Sequence, residues 1–103
     1  MNFWTIDALE KSPGPTGITK QKVPHSYSTQ TIQLTLEPGA VLPAHDKPVN
    51  VLFYVLEGAG LVTVGDEKEQ CKAGMYIESP KDVMHGWENT STAPLKVLVI
   101  KFF

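Results

Sequence analysis

The strongest constraint in this chain is its punctuation. Eight Gly and eight Pro are spread along 103 residues, and the apolar runs between them are short. A helix needs apolar positions recurring every three to four residues over several turns, and no stretch here keeps that period for more than one turn. Short β-prone runs bounded by turn residues are the pattern of an all-β sandwich or barrel. Such runs cover 27–36, 49–56, 61–64, 67–71, 75–79, 85–89 and 95–103. Gly65-Asp66, between two of them, predicts a hairpin. Connections this short favour antiparallel neighbours, because a parallel pair needs a long crossover.

Composition narrows the function classes. A formal net charge of −2 gives no long-range field for nucleic acid or an anionic membrane. No apolar run approaches the roughly 20 residues that span a bilayer. The single cysteine, Cys71, allows neither an intrachain disulfide nor a thiolate cluster, and its setting reads as packed and inert. The first ten residues carry an acid and no basic stretch ahead of an apolar one, so no signal peptide is expected and the chain is assigned to the cytoplasm. One domain is expected. Residues 27–103 form its barrel core, and residues 1–26 supply an N-terminal strand and loop that complete the barrel or a dimer interface. The stretch Ser12-Pro-Gly-Pro-Thr-Gly17 reads as the loop after that strand.

Two stretches carry a more specific signal. The first is Pro38-Gly39-Ala-Val-Leu-Pro-Ala-His45-Asp-Lys47, continuing through Val51-Leu-Phe-Tyr-Val-Leu-Glu57-Gly58. The second is Gly74-Met-Tyr-Ile-Glu-Ser-Pro80-Lys-Asp82-Val-Met-His85-Gly-Trp-Glu-Asn89. In this order and at this separation they resemble the paired motifs of the cupin superfamily, in its small single-domain form. The resemblance implies a double-stranded β-helix, or jelly-roll, barrel of antiparallel strands. Such barrels are usually dimeric, and they hold a divalent metal (zinc, iron, nickel or manganese) in the mouth. The family pattern supplies two His and one Glu from the first motif and one His from the second. Here His45 and His85 match as metal ligands, whereas Lys47 stands where the second His belongs and Val51 where the Glu belongs. Asp82 replaces a usual Gly, which bears on the turn and not on the ligands.

Strand periodicity gives a second view of the same residues. If His45 faces inward, then Lys47, Val51 and Phe53 share its face, with Trp87 beside His85, and Asp46 points away. Val51, Phe53 and Trp87 then form an apolar pocket wall. The opposite face carries Leu52, Tyr54 and Leu56, and needs a cover from a second subunit or from Phe3, Trp4 and Ile6. A third metal ligand would have to come from His25, Glu57 or Glu78, none of which the spacing places there.

A Lys47 ammonium cannot ligate a metal, but it can hold a carboxylate, enolate or phosphate. His45 and His85 would then serve as hydrogen-bonding or acid–base groups, so Lys47, His45 and His85 are the catalytic candidates. Desolvation of Lys47 would lower its pKa toward that of a Schiff-base nucleophile. The leading expectation is a homodimeric barrel that binds a small anionic or carbonyl-bearing molecule, with a divalent metal on an incomplete ligand set. A metal-dependent oxygenase, isomerase or lyase is the alternative, and a non-catalytic sensor or interaction domain the third.

Overall fold

The computed structural model describes all 103 residues. A 3-10 turn at Ile6–Ala8 is followed by ten strands: β1 (Lys11–Pro13), β2 (Ile18–Lys22), β3 (Thr29–Leu36), β4 (Val41–His45), β5 (Asn50–Glu57), β6 (Ala59–Val64), β7 (Glu67–Lys72), β8 (Tyr76–Ser79), β9 (His85–Glu88) and β10 (Leu95–Phe102). They form a six-stranded sheet in the order β1-β2-β3-β10-β5-β8 and a four-stranded sheet in the order β4-β9-β6-β7. Every pairing is antiparallel. The chain is an all-β jelly-roll barrel.

Alternation fixes which side chains fill it. Along β10, Leu95, Val97 and Val99 are buried, and along β5 so are Val51, Phe53 and Val55. Leu34 and Leu36 of β3, Ile18 of β2, Val62 of β6, Cys71 of β7 and Trp87 of β9 complete the core cluster with Ala40. Each large side chain removed from water in this way contributes about 1.5–3 kcal/mol. The hairpin at Gly65-Asp66 forms, with Val64 opposite Glu67 and Gly65 at φ 58°.

Two expectations need correction. The N-terminal residues make no strand before Lys11, and the first strand runs into the start of the stretch read as a loop, taking in Ser12 and Pro13. The reason is local. Pro13 can end an edge strand because it has no N–H to leave unpaired, and the turn that follows brings Ile18 back into pairing. Phe3, Trp4 and Ile6 stay exposed. They do not reach the outer face of β5, because the buried Gln21 amide donates to the carbonyls of Ile6 (2.9 Å) and Leu9 (3.2 Å), which ties this segment to β2. No helix is long and apolar enough to cross a membrane.

The second correction concerns the path from His45 to Val51. That path is not one strand. β4 ends at His45, a loop crosses to the other sheet, and β5 begins at Asn50. Period-two alternation therefore does not carry from His45 to Phe53. The loop sets where Lys47 goes.

Candidate functional site

One small cavity opens between the two sheets, at the end where β4 and β9 approach β10. It is lined by Lys20, Ile32, Leu34, Leu42, His45, Lys47, Phe53, His85, Val99 and Lys101, and has a volume of about 70 Å³. At roughly 30 Å³ per water molecule, it admits only a short ligand.

The placement of His85 begins with its neighbour Gly86. A Cβ there would meet the Leu42 carbonyl oxygen at 2.7 Å and the Ala44 nitrogen at 2.9 Å. Only a residue without a side chain lets β9 lie this close to β4. The register of β4 shifts between Leu42 and His45, and His45 then falls opposite His85. The two rings meet edge-on, with centroids 4.9 Å apart, and Phe53 stands edge-on to His85 at 5.1 Å.

The histidines differ in their settings. His85 is buried, and its Nδ1 is 2.9 Å from the hydroxyl of the equally buried Ser79. Burial lowers its pKa to about 4, and the nearby His45, Lys101 and Lys47 push in the same direction. The ring is therefore neutral near pH 7. His45 is half-buried at the rim, with Nδ1 at 2.9 Å from the Pro43 carbonyl. A carbonyl only accepts, so Nδ1 carries a proton and donates it there.

Lys47 reaches this cavity from the β4–β5 loop. The loop is anchored by the Asp82 N–H, which donates to the Lys47 carbonyl at 2.7 Å. Asp82 adopts φ 65°, the left-handed region that the Gly of the family motif enters without strain. Lys20 of β2 and Lys101 of β10 complete a group of three ammonium side chains with no carboxylate among the lining residues. The one ion pair in the structure joins Lys96 to Glu57, so none of these three is paired. Burial and the neighbouring Lys47, Lys20 and Lys22 hold the Lys101 amine below the ordinary lysine range.

His45, Lys47, His85 and Phe53 thus share one cavity, whereas Val51 and Trp87 do not line it. Both are core residues, at 3% and 2% exposure. Trp87 lies behind Phe53, 5.4 Å away and edge-on, so the ring in front takes the wall position. Its indole N–H is buried without a partner. The wall is completed instead by Ile32, Leu34, Leu42 and Val99. Sequence reading missed Lys20 and Lys101. Their signal was a Lys at an inward position of an otherwise apolar alternation, as in Val97, Val99, Lys101.

The donor set does not suit the metal that such barrels hold. No three or more His, Cys, Asp or Glu side chains converge anywhere in the chain. His25 is engaged elsewhere, with Nδ1 accepting from the Tyr27 N–H and Nε2 donating to the Thr31 hydroxyl. Glu57 pairs with Lys96, while Asp46 and Glu78 are exposed. Two imidazoles beside three ammonium groups repel a divalent cation more than they ligate it.

Residues 32–101 match the Cupin domain family. A segment of 51 residues is 39% identical to the uncharacterized protein MJ1618 of Methanocaldococcus jannaschii, covering 50% of this chain and 41% of that protein. The chain therefore spans well under half the length of this curated relative. Among solved structures, TT1209 from Thermus thermophilus superposes with a TM-score of 0.85 at 27% identity, covering 99% of this chain and 97% of that one. KdgF from Halomonas sp. superposes at 0.88 with 21% identity, over 100% and 94% of the two chains, which shows a shared fold. With the paired motifs, the jelly-roll topology and a match over most of its length, the chain belongs to the cupin family.

Proposed function

We propose that the barrel binds a small anionic molecule, with lysine side chains supplying the positive charge that a metal supplies elsewhere in the family. The observation that carries this reading is the lining of the cavity: Lys20, Lys47 and Lys101, with no acidic side chain. Ile32, Leu34, Leu42, Phe53 and Val99 lower the polarity around them. In such a setting one close charge pair is worth about 4 kcal/mol at an effective dielectric of about 20. The neutral His85 adds hydrogen-bonding capacity without adding charge, and the His45 ring borders the same space. A carboxylate or phosphate group meets these requirements, and the small volume favours a compact ligand.

Calorimetric titration with acetate, pyruvate, lactate and inorganic phosphate tests the reading, comparing the wild type with Lys47→Met. Binding that weakens with salt and is lost in Lys47→Met supports it. Equal affinity in the two proteins removes Lys47 from the site.

A homodimer completes the proposal. The outer face of β5, β8 and β10 carries Leu52, Tyr54, Leu98 and Ile100, half-buried at best, with Leu56, Tyr76 and Phe102 exposed. The N-terminal segment lies elsewhere, so a second copy is the cover proposed for this face. Sedimentation at low concentration is expected to give twice the monomer mass, and a monomer would remove the proposal.

A further inference from the structure

The lysines of the cavity are not equivalent. Lys47 lies in a loop and Lys20 on β2, next to the edge strand of its sheet. Lys101 lies on β10, between β3 and β5, opposite Gln30 on one side and Val51 on the other. Its inward neighbours along the strand, Val97 and Val99, are buried. Its stem is thus fixed at both flanks, and its amine enters a cavity that already holds two further ammonium groups and no counter-ion.

We infer that Lys101 forms an imine with the carbonyl carbon of a short 2-oxo acid whose carboxylate is held by Lys47 and Lys20. The inference rests on the anion-binding reading and deepens it by naming a ligand class and a bond. The neutral Lys101 amine adds its nitrogen lone pair to the carbonyl carbon, giving a carbinolamine. The carbonyl oxygen then leaves as water, taking both amine hydrogens, and a C=N bond remains. No electrons are gained or lost.

The surroundings suit each stage. A fraction of neutral amine is required, and burial beside like charges lowers the Lys101 pKa in that direction. The carbinolamine needs proton transfer between nitrogen and oxygen, and the His45 and His85 rings border the same space. The apolar wall excludes water, which favours the condensed form over hydrolysis. A 2-oxo acid also presents its carboxylate next to its carbonyl. The charge that Lys47 and Lys20 hold is then adjacent to the carbon that Lys101 attacks.

The test uses the intact protein with pyruvate, and with lactate as the carbonyl-free counterpart, each incubated with sodium borohydride. Hydride reduces a C=N bond to a stable secondary amine, and peptide mass spectrometry locates it. The expected result is an adduct with pyruvate only, concentrated on Lys101 over exposed Lys68 and Lys72, and lost in Lys101→Arg. That variant keeps the charge but presents a guanidinium, so pyruvate binding measured by calorimetry is retained. Mapping on the wild type stands even if the variant fails to fold. Pyruvate and lactate binding equally, with no adduct, overturns the imine and leaves anion binding intact. An adduct on Lys47 or Lys20 in place of Lys101, or spread evenly over surface lysines, also overturns it. Failure of both acids to bind removes the anion-binding reading and the imine together.

Discussion

The two ends of this barrel solve opposite problems with side chains from the same strand pair. At one end, Asn89 is fully buried and fully satisfied. Its amide nitrogen donates to the carbonyls of Leu36 (2.9 Å) and Ala93 (2.8 Å), and its oxygen accepts from the N–H (2.9 Å) and hydroxyl (2.8 Å) of Ser91. At the other end, four residues back along the chain, His85 is buried among lysines that have no anionic partner. The closed end spends its polar groups on holding the fold. The open end leaves its lysines without an anionic partner, which is how a binding site differs from a structural network.

Breaking the closed end is expected to have the largest effect. Asn89→Ala removes four hydrogen bonds and leaves the Leu36 carbonyl buried without its partner. Equilibrium denaturation is expected to show a loss of about 3 kcal/mol. A loss under about 1 kcal/mol would mean that water replaces the amide, and that this end is not closed.

The open end is expected to respond to pH instead. His85 has a pKa near 4 in the folded chain against 6.5 for the free side chain, so the unfolded state binds the proton first. Stability is therefore lost as pH falls from 6.5 toward 4, and levels off once both states are protonated. A fall from 6.5 to about 4 is worth about 3 kcal/mol in full, and solvent screening at the cavity mouth brings the expected loss to about 2 kcal/mol. Carboxylates titrate in the lower part of this window, so the measurement is the difference between wild type and His85→Gln. Parallel stability curves for the two proteins would show that His85 is not held neutral.

The same contrast predicts a gain. Lys101→Met removes a cation that has no partner and keeps a similar apolar stem, so stability is expected to rise by about 1 kcal/mol. The His85 pKa is expected to move up with it, because Lys101 is one of the charges that depress it. Histidine resonances followed by NMR titration read this directly. No movement would place the Lys101 ammonium away from His85.

The closed end and the open end were not equally legible in the sequence. Turn residues and alternation identified the fold class and most strands, because those depend on local chemistry and a period of two. Asn89 closes the second motif with no sign of its role, since the groups it binds, on Leu36, Ser91 and Ala93, belong to residues that no motif marks. The grouping of His45 with His85 followed from the paired motifs, but the reason offered for Lys47 did not hold. Alternation cannot pass through the loop between β4 and β5. Lys20 and Lys101 escaped notice because their meaning depends on strands far apart in sequence closing over one space. A single lysine in a strand reads as a solvated edge charge. Three converging lysines become a site only after the topology is known. Gly86 is similar: its lack of a Cβ matters only because the Leu42 carbonyl stands 2.7 Å from where one would be.

The smallest expected effect tests how Lys47 is held at the open end. Asp82 sits at φ 65° and uses its N–H to bind the Lys47 carbonyl. Left-handed backbone is strained for a residue with a Cβ, tolerable for Asp, whose short polar side chain can hydrogen-bond locally, and free for Gly. The order of stability at this position is therefore expected to be Gly above Asp above Ala. Asp82→Gly relieves strain but adds freedom to the unfolded chain, so its net gain is about 0.5 kcal/mol. Asp82→Ala keeps the strain and loses the side chain, so its denaturation midpoint falls below that of the wild type. The wild type and both variants retain the backbone N–H, so differences among them report on strain and not on the loss of the tether. If Ala instead matches Gly, the turn has relaxed out of the left-handed region, and Lys47 is not fixed by this contact. The lysine cluster would then be a property of a loop meeting two strands, with Lys20 and Lys101 as the cations the barrel itself positions.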